Sequence, residues 1–233
     1  MMDEFTLFIS IFSLIAYLIG SIPFGLILTK IFIKEDIRKI GSGNIGATNV
    51  LRTGNKILGL STLLLDSSKG VLAIGCAVLI FSINNFYIPN AAPSLPQIPP
   101  IKLQTLSLLI GLFAILGHCF PIWLKFKGGK GVATALGALL AAVPYAGLAA
   151  CAAWLITAKV TKISSLSALI ALAIAPIVTL IIYGASPAVI CALITLLVWI
   201  RHKDNIKRII KGEEPKIGAK KKEEKSVESI SNE

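Results

Sequence analysis

The chain has 233 residues, of which 55% are hydrophobic and 15% charged, and its 23 Lys and Arg outweigh 12 Asp and Glu to a formal net charge of +11. That balance, with a mean hydropathy of +0.81, excludes a secreted or cytosolic globule. Ten of the basic residues lie in 201–233 and the rest are scattered between apolar runs, so the charge belongs to membrane-flanking loops and no nucleic-acid partner is expected. Before residue 201 the only acids are Asp3, Glu4, Glu35, Asp36 and Asp66, too few and too dispersed for a metal cage or a carboxylate dyad.

The first apolar stretch, 5–28, is too long for a signal-peptide core and follows Asp3 and Glu4 rather than basic residues, so it reads as a retained span. About 20 apolar residues cross the hydrocarbon, and the other clear candidates are 57–81, 103–124, 163–183 and 187–200. Between the first two, Ile33, Ile37 and Ile40 stand at helical intervals among charged residues, which fits a short helix on the inner surface or a solvated linker. The segment 82–102 carries Pro89, Pro93, Pro96, Pro99 and Pro100 and is expected to be an irregular outer loop.

The stretch 131–158 has the length of one span but holds Pro144 near its middle and is followed by Lys159 and Lys162. Two shorter helices turning near Pro144 put every basic loop on one face, with only Lys102 opposite. The expected architecture is therefore an all-α, polytopic membrane helix bundle of about seven transmembrane helices, N-terminus outside and C-terminus cytoplasmic. A five-helix arrangement with one long 131–158 helix stays open. Residues 1–212 form a single membrane domain, and 213–233, rich in Lys, Glu and Ser, form a charged tail expected to be disordered and drawn to anionic lipid. Cys76, Cys119, Cys151 and Cys191 are far apart in apolar runs and read as packing residues.

Three polar segments interrupt the apolar runs, all on the basic face. The first, 41–55, packs Ser42, Asn44, Thr48, Asn49, Arg52 and Asn55 among Gly41, Gly43, Gly46 and Gly54, a composition suited to an anion-binding concavity. The second, 117–134, sets Gly128, Gly129 and Gly131 around Lys130, with Lys127 nearby, just before a new apolar helix. It lacks the Walker spacing, but glycine amides, a lysine and a helix N-terminus together favour a phosphate. The third begins at Arg201; on a continuing helix His202, Asn205 and Arg208 share one face. Asp66 and Lys69 are placed to pair within a span, and Ser164, Ser165 and Ser167 open the sixth helix as caps or phosphate donors.

These residues resemble the three motifs of the PlsY family, membrane-integral acyl-phosphate:glycerol-3-phosphate acyltransferases of bacteria. The matching runs are 42–49, then Gly117-His118, Phe120-Pro121 and 126–134, then His202, Asn205-Ile206 and Arg208, and the likeness extends in order from Gly20 to about Ile217. The departures are Lys203 in place of Arg, Lys162-Ile163 in place of Arg-Tyr, and Ala168 in place of a second Ser. The resemblance implies transfer of a fatty acyl group from acyl phosphate to the sn-1 hydroxyl of glycerol 3-phosphate, giving lysophosphatidic acid and phosphate without metal or cofactor. It also implies a bacterial inner-membrane location, a cytoplasmic-facing site and a functional link to an enzyme that produces acyl phosphate.

By family analogy and charge, Ser42, Arg52, Lys127 or Lys130, His202 and Asn205 take glycerol phosphate; Thr48, Ser165 and the amides of Gly128, Gly129 and Gly131 take the acyl-phosphate end. Lys130, His202 and Asn205 are the expected catalytic set, and Asn44, Asn49 and Arg208 add to the substrate-binding set. No Ser or Cys has the adjacent base of a covalent nucleophile. A membrane transporter of an organic phosphate or lipid is the alternative from another class, and a membrane scaffold would leave the three loops without purpose.

Overall fold

Long runs of Leu, Ile, Val, Ala and Phe offer no side-chain partner to the backbone, and in hydrocarbon only a helix satisfies every N–H and C=O internally. The computed structural model describes residues 4–86 and 103–217, and all regular structure among them is helical. The Pro-rich segment 82–102, expected as an outer loop, is described only as far as residue 86.

The chain opens with α1 (Glu4–Gly20), breaks at Pro23 and continues as α2 (Phe24–Phe32). Together they make a 27-residue apolar span, Thr6–Phe32. A single turn at Ile37–Lys39 is the only helical part of the segment expected to lie on the membrane surface. Then come the short α3 (Ala47–Val50), the 31-residue α4 (Lys56–Phe86) and α5 (Leu103–Cys119). The expected hairpin forms: α6 (Val132–Ala142) ends at Val143, and Pro144 opens α7 (Pro144–Thr161) at the first helical turn, where a missing N–H costs nothing. The bundle is completed by α8 (Ser164–Tyr183), α9 (Ala185–Arg201) and α10 (Lys203–Ile210).

Among the described residues four stretches are long and apolar enough to cross a membrane, or five when the bent α9–α10 pair is taken as one span. With only 11 residues, α6 is about 16 Å long, half the hydrocarbon thickness.

The core is centred on α5, where Leu108, Ile110, Ala114 and Ile115 are wholly buried. Glycines let it approach α1 at backbone distance, because a Cβ on Gly20 would lie 2.0 Å from the Ala114 carbonyl oxygen and one on Gly117 would lie 2.1 Å from that of Tyr17. The Tyr17 hydroxyl donates to the Phe120 carbonyl at 2.7 Å and ties the C-terminal ends of the pair together. Outward, Leu14, Leu64, Leu155 and Ile181 are exposed, as suits a lipid-facing wall. The four cysteines are all free, with Cys119 and Cys191 buried.

Candidate active site

Beyond α2 the chain reverses through Lys34, held at φ 56°, and Asp36 caps the next turn by accepting from the Arg38 amide and guanidinium. The Arg38 guanidinium holds the Asp36 carboxyl well below the usual carboxylate range. The following loop is organised around Asn49, which is 2% exposed. Its Nδ2 donates to the carbonyls of Ile37, Ile40 and Asn44 at 3.0, 3.0 and 2.8 Å. Its Oδ1 accepts from the Ser42 amide and hydroxyl at 3.1 and 3.3 Å.

An amide so fully engaged has no capacity left for a substrate. Asn49 is thus a clamp of the loop, not the phosphate ligand its sequence context suggested. Asn44 contributes its carbonyl to that clamp and keeps its side chain half-buried. The clamp presents Ser42, Thr48 and Arg52 outward, all three exposed. Thr48 Oγ1 lies 3.2 Å from Ser164 Oγ, joining the first polar segment to the start of α8.

In the second segment a one-turn helix at Ile122–Leu124 is followed by Lys125 and Phe126 at positive φ, and the chain folds back on the end of α5. The Gly128 amide donates to the Cys119 carbonyl at 3.2 Å and the Gly129 amide to that of His118 at 3.0 Å. Their own carbonyls accept from Arg201 Nη2 and Nε at 3.1 and 3.2 Å, and the Arg201 guanidinium stacks over Phe120. The amides of Gly128 and Gly129 are therefore occupied within the protein, contrary to their expected use as phosphate donors. What they supply is shape: a Cβ on Gly129 would sit 2.0 Å from His118 Nε2.

Gly131, at φ 82°, makes the left-handed turn that opens α6. The first-turn amides of α6 have no intrahelical partner and carry the positive end of the helix dipole. Lys130 extends from the same turn and donates from Nζ to Asn205 Oδ1, while Lys127 stays exposed at the rim.

The third segment does not continue α9. The helix bends by 67° at His202, where φ −101° and ψ 10° leave the α region. His202 is buried, and its Nδ1 lies 2.8 Å from the Val198 carbonyl. Because that oxygen only accepts, Nδ1 carries the proton and Nε2 is the acceptor of the neutral ring. Asn205 and Arg208 still share a face of the separate α10.

Gly212, at φ 69°, then reverses the chain, with the Glu213 amide closing on the Arg208 carbonyl at 2.8 Å. Glu214 is returned to the site, where its carboxylate accepts from Ser165 Oγ at 2.7 Å, from Asn205 Nδ2 and from Arg208 Nε at 2.7 Å. The Ile217 amide donates to the Lys162 carbonyl at 2.7 Å and fixes this strap against α7 and α8. The tail expected from 213 thus begins with a segment held to the bundle through Glu214 and the Ile217 amide, and its remainder from 218 lies outside the described residues.

Burial pushes the Lys130 ammonium down to about 8; Glu214 opposes the fall, while Arg208, Arg201 and Arg52 add to it. For Glu214, burial pushes the carboxyl up, but hydrogen bonds from Asn205, Ser165 and Arg208 outweigh it and hold the group below its ordinary value.

The three polar segments thus meet at one end of the bundle, with cations in excess. Glu214 and Arg201 were not singled out from the sequence. The available signal for the first was Gly212, a helix-ending glycine whose turn sends the following acid back toward the basic helix.

The profile of the family described as glycerol-3-phosphate acyltransferase matches residues 10–212. The chain belongs to this family. It is 50% identical over 217 residues to the glycerol-3-phosphate acyltransferase of Rhodospirillum rubrum, covering 93% of this chain and 94% of the relative. It is also 50% identical over 208 residues to that of Paramagnetospirillum magneticum, covering 89% and 93%.

Among solved structures it is similar to PlsY (YgiH), an integral membrane glycerol 3-phosphate acyltransferase, in its glycerol 3-phosphate form. The TM-score is 0.74 and the identity 32%, over 90% of this chain and 96% of that one. The lysophosphatidic acid form of the same enzyme gives 0.72 and 31%, over 89% and 94%. The all-helical, multi-pass membrane architecture and membership in the PlsY family agree with the sequence-based expectation.

Proposed function

We propose that this acyltransferase uses acyl phosphate as donor and forms lysophosphatidic acid and inorganic phosphate. The observation that carries this reading is the meeting of Lys130, Asn205, Arg208 and Ser165 beside Arg52 and Lys127, for which no acidic partner stands within ion-pair distance among the described residues. A site with unbalanced cations is suited to two phosphorylated substrates held side by side.

Ser42, Arg52, Lys127, Lys130 and Asn205 hold glycerol 3-phosphate. Thr48, the Arg208 guanidinium nitrogens that Glu214 leaves free and the open first-turn amides of α6 beside Gly131 hold the donor's phosphate, while the Ser165 hydroxyl proton is taken by Glu214. The sn-1 oxygen bonds to the acyl carbon, the bond from that carbon to the phosphate oxygen breaks, and phosphate leaves with both electrons. The hydroxyl proton passes to His202 Nε2. The donor phosphate is already a good leaving group, so positioning and charge neutralisation supply most of the rate.

In this reading the bundle crosses a bacterial inner membrane seven times, with Met1 outside and the site facing the cytoplasm, the side on which basic loops collect. A partner enzyme supplies the acyl phosphate.

The test is to incubate purified protein with glycerol 3-phosphate and either acyl phosphate, acyl-CoA or acylated acyl carrier protein, and to follow released phosphate and lysophosphatidate. Product from acyl phosphate alone is expected; turnover with a thioester donor alone would replace the donor assignment. His202→Asn separates the routes for the proton, since a fall in kcat at unchanged KM supports His202 as acceptor and a pure KM effect assigns the proton to the leaving phosphate.

A further inference from the structure

Below the glycine loop, inside the bundle, lies a polar group that the mechanism above does not use. Asp66 and Lys69 of α4 and His118 of α5 are 2%, 1% and 5% exposed. Lys69 Nζ is 2.7 Å from Asp66 Oδ1 and 3.2 Å from His118 Nδ1, and it lies over the Phe24 ring. An ammonium only donates, so His118 Nδ1 accepts and the ring proton sits on Nε2. The Asp66 oxygen, at 3.6 Å from His118 Nδ1, is too far to reverse that assignment.

Three contacts lead from this group to the site. The His118 ring packs edge-on against Gly129, at the spot a Cβ would occupy. The His118 carbonyl accepts the Gly129 amide at 3.0 Å. Thr134, in the first turn of α6, donates from Oγ1 to the Asp66 carbonyl at 2.9 Å. The loop bearing Lys130 is thereby gripped on both sides by residues joined through one buried ammonium. A buried ion pair of this kind is a poor source of net stability but a good determinant of a unique geometry.

We propose that Asp66, Lys69 and His118 act as positioning residues that set the Gly128–Gly131 loop, and with it Lys130, at the height where the acceptor's phosphate binds. This rests on the assignment of Lys130 to glycerol 3-phosphate.

The test uses the purified full-length protein in detergent micelles, with binding of glycerol 3-phosphate read by calorimetry and KM and kcat read separately for each substrate. The double variant Asp66→Asn/Lys69→Met removes both charges at similar volume. It is expected to remain folded, to bind glycerol 3-phosphate at least tenfold more weakly and to raise its KM alike, with the KM of the acyl donor unchanged. Lys69→Arg, which keeps the charge and the donors, is expected to restore most of the affinity. A purely structural role would lower the yield or Tm without separating the two KM values, and folded protein with wild-type affinity would overturn the proposal.

Should the double variant not fold, Gly129→Ala decides. Its methyl meets the His118 ring and is expected to weaken glycerol 3-phosphate binding, and adding His118→Asn, which leaves room for the methyl, is expected to recover it. Absence of recovery overturns the proposal. Lys130→Ala serves as the reference: wild-type binding there would remove the site assignment itself, whereas weakened binding there with an unaffected Asp66→Asn/Lys69→Met variant would remove only the positioning role.

Discussion

Two groups of basic residues lie within a few turns of each other and have opposite surroundings. Lys69 is sealed among Asp66, His118 and Phe24, its charge matched by a carboxylate at 2.7 Å. Arg52 and Lys127 are exposed and have no ion pair among the described residues. Lys130 leans on a neutral amide and feels three arginines against one glutamate. The first group is closed and the second leaves positive charge for an anion to balance, which is what the substrate role proposed for it requires.

The largest effect that would break this contrast comes from the closed side. Asp66→Ala leaves a buried ammonium unpaired, and chemical denaturation in micelles is expected to show a loss of about 3–5 kcal/mol, the scale of stripping one partner from a buried pair. On the open side Lys130→Ala is expected to leave the fold intact and to lower kcat/KM for glycerol 3-phosphate about 100-fold, the scale of one preorganised donor. Unchanged kinetics in steady-state assay would remove Lys130 from the site. Arg52→Ala, more exposed to water, is expected to raise the KM for glycerol 3-phosphate about tenfold, a loss typical of one charge-assisted bond.

A pH series sharpens the same contrast. The Lys130 ammonium, pushed down to about 8, is charged below that pH and loses its charge as pH rises through it. Affinity for the phosphorylated acceptor is therefore expected to be complete near neutrality and to fall on the alkaline side. Lys130→Arg is expected to flatten that fall, because a guanidinium stays protonated. Glu214→Gln removes the one charge that raises Lys130 and is expected to move the alkaline fall to lower pH, a small effect visible in KM–pH profiles.

The spans could be read from the sequence because hydropathy and length act locally: the runs at 103–124 and 163–183 match a helix with its turn and a single helix almost to the residue. Pro144 marked its hairpin for the same reason. What escaped was set by contacts distant in sequence. Nothing local tells whether the Gly128 amide faces a ligand or the Cys119 carbonyl, and the role of Asn49 depends on where Ile37 and Ile40 place their carbonyls. The bend at His202 was hidden because no Gly or Pro interrupts 201–210, and the contact of the His202 ring with the Val198 carbonyl is not visible in the residue pattern.

The unequal arms of the Pro144 hairpin have a further consequence. With 11 residues in α6 and 18 in α7, the outgoing arm begins about 10 Å nearer the turn than the level at which the returning arm ends. Gly131, which is buried, and the amides of the half-buried Val132 and Ala133 therefore lie below that level. In the proposed function the water-soluble reactant would then descend to that level, while the fatty one stays in the leaflet and offers its carboxyl end sideways at the same depth.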